Sequence, residues 1–207
     1  IYCRPLTTFM TDKECNVWLE MPVNIIRSLG LQRGKNDRVD ARRIALYAYK
    51  NKEDIKLWKP QRDIILKLRD LLSLRERLIS SRKSLMAPID ELIAMGDKQG
   101  AARVRRGCKL TLSSIEKEID QIDKDLDDTI KDDPQLKELY NLATSVPGVG
   151  KYTALFMICY TNEFSIYNNP KQLACYCCVA PFEHSSGSSV RGKTHVSHMA
   201  NKVLKRM

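Results

Sequence analysis

Apolar residues in the middle of the chain recur every seven positions. Ile64, Leu71, Leu78, Leu85 and Leu92 form one column, and Ile65, Leu72, Ile79, Met86 and Ile93 form a second, one step along. Two adjacent columns over about four heptads predict a long helix with a buried stripe, from Asp63 to Met95. Pro88 lies inside it and is expected to kink it. A second stripe, Leu112, Ile115, Ile119, Ile122 and Leu126, advances by threes and fours among mostly acidic positions and predicts a second helix. Gly96 to Gly107, with Gly100 and the basic run Arg103, Arg105 and Arg106, reads as the connecting loop. The two arms form a coiled-coil-like antiparallel hairpin. Charge pairs between exposed arm edges contribute only ~0.2–1 kcal/mol each, so apolar burial must hold the arms together. Two arms cover one side of a two-column stripe. The hairpin is therefore expected to pack on a second copy of the chain, the alternative being the chain's own flanking domains.

The flanks carry shorter elements. Cys3 to Met10 and Val23 to Leu29 are short helix candidates, and Val17-Trp18-Leu19 is a short strand candidate. Asp37 to Lys50 reads as a helix capped by Asn36 or Asp37, with Ala41, Ile44, Ala45 and Ala48 on its apolar face. Asp132-Asp133-Pro134 marks a break. Helices are predicted over Leu136 to Ala143 and Tyr152 to Tyr160. The fold class is mostly α, in three parts: residues 1–60, the hairpin over 61–135, and a helical C-terminal domain over 136–207.

Composition narrows the function classes. Lys and Arg total 35 against 25 Asp and Glu, a net charge of +10. Such a balance suits a polyanionic partner. The charge is segregated. Arg27 to Arg62 holds eleven cations against four acids, Thr111 to Tyr140 holds ten acids against four lysines, and the residues from Asn141 onward hold seven cations against Glu163 and Glu183. The acidic stretch calls for a local partner, and the basic flanks are candidates for phosphate contact. No apolar run approaches the roughly 18–20 residues that span a bilayer, so no membrane partner is expected. Seven cysteines, an odd number, read as reduced and mostly buried in a cytoplasmic protein.

Three constellations carry chemistry. Asp37 and Asp40, at i and i+3 of a helix start, lie on one face and can hold Mg²⁺ if further oxygen ligands arrive, or can serve as helix-capping acids alone. Val146-Pro147-Gly148-Val149-Gly150-Lys151, between two helices, matches a helix-hairpin-helix turn. Gly148, Gly150 and Lys151 are its candidate DNA-binding residues, because a helix start offers free N–H groups to phosphate. The alternative is a plain corner. The third is His184-Ser185-Ser186-Gly187-Ser188-Ser189-Val190-Arg191-Gly192-Lys193. A serine here can attack a phosphodiester with Arg191 and Lys193 stabilising the charge, or the segment can be a surface loop.

Taken in this order, the three pieces resemble the DEDD-type insertion-sequence transposases, the insertion-sequence one-ten kind that includes the Piv invertase. Lys35-Asn36-Asp37-Arg38-Val39-Asp40-Ala41 is similar to that family's K-x-D-x-x-D-A motif. Leu142 to Arg206 is similar to its C-terminal transposase domain, with P-G-V-G, the S-S-G segment and a final basic helix. The resemblance implies that residues 1–60 are the C-terminal part of a RuvC-like, ribonuclease-H-type α/β domain. It implies that Asp37 and Asp40 are two of four carboxylates binding Mg²⁺, and that Ser186, with Ser185 as the alternative, is the nucleophile. The implied activity is DNA cleavage and rejoining in a prokaryotic cytoplasm, by an oligomer, with a structured guide RNA in some members. Ile1-Tyr2 matches the end of a family motif, which places the other two acids upstream. These residues are therefore expected to bind nucleic acid without cleaving it. The competing expectations are a non-catalytic nucleic-acid-binding coiled-coil protein from a decayed element, and a helix-hairpin-helix nuclease of another type.

Overall fold

The computed structural model describes residues 3–28, 30, 36–167, 169–177, 179–186, 190–196 and 201–206, with the backbone alone at 182–186, 190, 191 and 195. The chain divides into two compact units, Ile1–Pro60 and Gln61–Met207. The first holds helices α1 (Arg4–Asp12), α2 (Pro22–Ser28) and α3 (Asp37–Lys50) and a short 3₁₀ turn, Lys52–Asp54. Its local order follows from the sequence. Asn36 Oδ1 accepts the Val39 N–H at 2.9 Å and starts α3. The Trp18 and Tyr47 rings meet at 5.5 Å, and the Tyr47 hydroxyl donates to Glu20 Oε2 at 3.1 Å. The strand expected at Val17–Leu19 does not form. The segment is tied instead by one backbone bond, from the Trp58 N–H to the Val17 carbonyl at 2.7 Å. No strand occurs among the described residues of this unit, and Phe9, Ile26, Ile44 and Leu46 are exposed.

The second unit is built on the hairpin. Its arms are α4 (Asp63–Ala94) and α5 (Lys98–Asp132), of 32 and 35 residues. The arms pack against each other along their length, and α4 runs as one helical element through Pro88. The connection is far shorter than the expected loop at Gly96 to Gly107. Gly96 sits at φ +83°, where glycine costs least. Its N–H bonds the Ile93 carbonyl at 3.0 Å and the next N–H, of Asp97, bonds the Leu92 carbonyl at 2.9 Å, a Schellman closure. Asp97 then caps α5, accepting the Gly100 N–H at 2.8 Å. Gly100 and Gly107 lie inside the helix. The loop expectation fails because the Asp97 cap and the strong helix propensity of Ala, Arg and Lys outweigh two glycines.

Beyond α5 come α6 (Pro134–Thr144), α7 (Lys151–Tyr160), α8 (Pro170–Tyr176), strands β1 (Pro181–Ser186) and β2 (Val190–Val196), and α9 (Lys202–Arg206). The expected break is a cap: Asp133 Oδ1 accepts the Leu136 N–H at 2.7 Å and Pro134 opens α6. The core lies at the hairpin base. Ile65, Leu68 and Leu72 of α4 and Ile122, Leu126 and Ile130 of α5 bury against Leu136, Leu155, Phe156, Ile158, Cys159 and Leu204. The chain's own α6, α7 and α9 thus take part of the stripe for which a second copy was expected. Toward the tip the stripe is only partly covered, and Ile93 is 49% exposed.

Arg62 fastens this base. It makes two hydrogen bonds to Asp133, at 2.6 and 3.1 Å, and pairs with Glu163, which follows α7. Residues 162–164 are left-handed without glycine, and the Arg62 pair and the Phe164 N–H bond to Thr161 Oγ1 at 2.9 Å hold that turn. The C-terminal part is not purely helical as expected: β1 and β2 form an antiparallel pair with an irregularity between Phe182 and His184. The cysteines also differ from expectation. Among those described, Cys159 is buried, Cys108, Cys175 and Cys177 are half-buried, and Cys3 and Cys15 are exposed. No helix among the described residues is long and apolar enough to cross a membrane.

Candidate functional site

The two candidate metal ligands open α3. Asp37 occupies its first position and is exposed. Asp40 follows one turn later on the same face. One Asp40 oxygen takes Arg43 Nη1 at 2.9 Å, and its side chain is 46% exposed. Acids in a first turn also favour the helix dipole, so these residues support α3 whatever else they do. Their chemistry fits Mg²⁺: hard carboxylate oxygens, accessible to solvent, that supply one or two ligands and leave the rest to water and phosphate oxygens. No group of three or more metal-capable residues occurs among the described residues. Lys35 of the motif lies outside them.

Within the serine segment, residues 184–186 and 190–193 lie on strands, where the composition had left a surface loop open. Ser186 ends β1 and pairs with Val190, Ser185 pairs with Arg191, and His184 pairs with Gly192. Lys193 is exposed on β2. Gly187, Ser188 and Ser189 lie outside the described residues. One β-ribbon therefore carries both candidate serines and both candidate cations. The acids belong to the first unit and the ribbon to the second.

The turn between α6 and α7 requires its glycines unequally. Gly148 has φ +88°, which disfavours any side chain, while Gly150 caps α7 in extended backbone. Lys151 does not extend freely from the helix start. Its Nζ lies 2.7 Å from Asp127 Oδ1 and 3.4 Å from the Asp123 carbonyl, both on α5. A phosphate approaching this corner competes with Asp127 for the charge. Beside it is a cluster that sequence reasoning missed. Arg75 Nε donates to Asp123 Oδ1 at 2.7 Å, the Tyr152 hydroxyl donates to Asp123 Oδ2 at 2.8 Å, and the Arg75 guanidinium stacks 3.6 Å from the centre of the Tyr152 ring. Burial pushes the Asp123 carboxyl up, but the bonds from Arg75 and Tyr152 outweigh it and hold the group below the ordinary range. Burial and the bond to Asp123 push the Tyr152 hydroxyl up to about 12. The expected local partner of the acidic stretch is therefore α4 and the start of α7. No spacing in the sequence pairs Arg75, Asp123 and Tyr152, because they come from three separate helices.

Comparison with known proteins matches the segments that contain these pieces. A model of the transposase IS116/IS110/IS902 family matches residues 140–207, and a DEDD-type IS110 transposase model matches residues 1–94. The pilin gene-inverting proteins of Moraxella bovis and Moraxella lacunata are each 28% identical over 179 residues, covering 86% of this chain and 52% of theirs. The chain thus spans about half the length of these curated relatives. The two family models meet the α3 acids at one end and the α6–α7 corner with the β-ribbon at the other, and the chain belongs to the IS110-type transposases.

Proposed function

We propose that this chain serves DNA transposition or inversion, cutting and rejoining strands of a mobile element. Asp37 and Asp40 would hold Mg²⁺, which when bound would supply neutralisation of phosphate charge. The Ser186 hydroxyl forms an Oγ–P ester as the bond from phosphorus to the 3′ oxygen breaks, its proton leaving to a base and a proton reaching the departing oxygen. Arg191 and Lys193 stabilise the charge on the phosphoryl group. Gly148, Gly150 and Lys151 contact DNA through the α6–α7 corner, the helix-hairpin-helix of this reading. The observation that carries the proposal is the agreement of the two family models with the places where the carboxylate pair and the serine ribbon stand.

The ribonuclease-H-type placement of residues 1–60 gains support from their exposed apolar side chains. Phe9, Ile44 and Leu46 are the faces that a helical layer lays on a sheet. The half-covered stripe toward the hairpin tip supports a homo-oligomer. A guide RNA is a second polyanion for the basic stretches in this reading and rests on the family resemblance alone.

Ser185 is the second candidate nucleophile, favoured by one observation: the ladder sets it opposite Arg191. The test compares the Ser186→Ala, Ser185→Ala and Asp40→Asn variants of the gene-encoded protein in a recombination assay. Ser186→Ala and Asp40→Asn are expected to lower recombination on the order of 10³-fold or more while DNA binding persists. A Ser186→Ala protein that recombines normally contradicts the proposal, and a loss confined to Ser185→Ala moves the nucleophile by one residue.

A further inference from the structure

The distal half of the hairpin carries charge that the proposed chemistry leaves unused. Helix α5 changes sign along its length. From Lys98 to Ile115 it holds Lys98, Arg103, Arg105, Arg106 and Lys109 and no acid, whereas its acids all lie from Glu116 onward. At about 100° per residue, Lys98, Arg105 and Lys109 fall within roughly 40° of one another, and Arg106 and Arg103 widen the fan to roughly 160°. The opposite side of this stretch faces α4 with Ala101, Val104, Cys108 and Leu112, which are buried or half-buried. All five cations are exposed. Arg82 and Lys83, exposed on the antiparallel arm, stand at the same level of the hairpin as Lys109. None of the seven makes an ion pair among the described residues, in contrast to Arg75 and Lys151 at the base.

We propose that this basic arc at the hairpin tip is a contact surface for the phosphate backbone of duplex DNA. The proposal rests on the reading that the chain acts on DNA, and it adds a surface outside the α6–α7 corner and the serine ribbon. Unpaired cations hold only mobile counterions, and a polyanion that replaces them gains by releasing its own. The arc from Lys98 to Lys109 is about 16 Å long, which matches on the order of five phosphates along one strand. The hairpin has no aromatic residue between Gln61 and Leu139, so it offers no platform on which single-stranded bases stack. On the cationic face itself Leu110 is the large exposed apolar side chain, while Ile93 and Met95 are exposed at the end of α4, so apolar anchors for a second protein are few beside seven cations. What remains is sequence-neutral contact with a backbone.

The test uses the full 207-residue chain and a random-sequence DNA duplex, with affinity read by fluorescence anisotropy over a series of KCl concentrations. The triple variant Arg103→Ala, Arg105→Ala, Arg106→Ala is expected to bind about 10- to 100-fold more weakly near 100 mM salt, with a salt slope smaller by about two to three. Lysine at the same three positions is expected to restore both, which separates charge from helix integrity. Lys131→Ala, on the acidic half of the arm, is expected to change little. Four results overturn the proposal. The triple variant binds and titrates like the parent. Its loss appears with a structured RNA but not with the DNA duplex. It changes oligomeric state by light scattering while DNA binding holds, which assigns the arc to a second copy. The parent chain binds no duplex DNA, and this last result alone also removes the DNA reading on which the proposal rests.

Discussion

Arg62 bonds to two acids from different parts of the second unit, and its loss strands both. Glu163 is nearly buried beside it, and Asp133 caps α6 with the same carboxylate that Arg62 holds. Arg62→Met is expected to cost about 1–3 kcal/mol, read by urea denaturation, because unpaired carboxylates remain at a partly covered site open to solvent screening. The pH dependence has a definite sign. Arg62 holds the Asp133 carboxyl below its ordinary range, and bonds from Arg75 and Tyr152 do the same for Asp123 against the opposing effect of burial. An acid whose folded value is depressed stabilises the fold above its unfolded value, about 3.9, and that contribution disappears as pH falls through the lower folded value. Stability is therefore expected to decline below about pH 4, and the Asp123→Asn variant should show a shallower decline in thermal melts. At this scale the sequence was only partly legible. Asn36 was legible as one of two cap candidates for α3, and Asp132-Asp133-Pro134 as a break, because such signals act on their own next few residues. Arg62 with Glu163, and Arg75 with Tyr152, meet only after distant helices pack, and no local pattern encodes such pairs.

The hairpin shows what element-scale periodicity reveals and where it was misread. The α4 columns matched the observed helix closely. The α5 stripe was expected to begin at Leu112, yet its inward side already runs through Ala101, Val104 and Cys108 at the same steps of three and four. Small and polarisable residues hid the pattern, and the glycines with the basic run suggested a loop. Asp97 with Gly100 was the available signal, a cap whose carboxylate accepts the N–H three residues on. The β-ribbon was missed for a related reason. Its serine and glycine content suggested a loop, while β-branched Val190, Thr194 and Val196 at even spacing pointed to a strand. The energetics of the hairpin should follow burial. Leu126 is 0% exposed at its base, so Leu126→Ala is expected to cost about 2–5 kcal/mol. Leu110 is 83% exposed, so Leu110→Ala is expected to stay within about 0.5 kcal/mol. Equal costs at the two sites, measured by chemical denaturation, would contradict this placement of the core.

For the molecule as a whole, opposite charges have different tasks. The acidic half of α5 is engaged within the fold by Arg75, Tyr152 and Lys151, while the basic tip is left for a partner. The partly covered stripe near the tip predicts self-association, and light scattering at micromolar concentration should give a mass above that of one 23.8 kDa chain. A sharp monomer would show that α6, α7 and α9 satisfy the hairpin alone. The family was legible because its motifs are local strings, K-x-D-x-x-D-A and P-G-V-G among them. The extent of the β-ribbon and the engagement of Lys151 by Asp127 were not, since both depend on the folded surroundings. The most direct test of the account is to trap the gene-encoded protein on its DNA in Mg²⁺ and identify the attached peptide by mass spectrometry. The account predicts a phosphodiester adduct at Ser186 that Ser186→Ala abolishes. Recombination with no serine adduct, or with the DNA joined to a residue outside the β-ribbon, would contradict it.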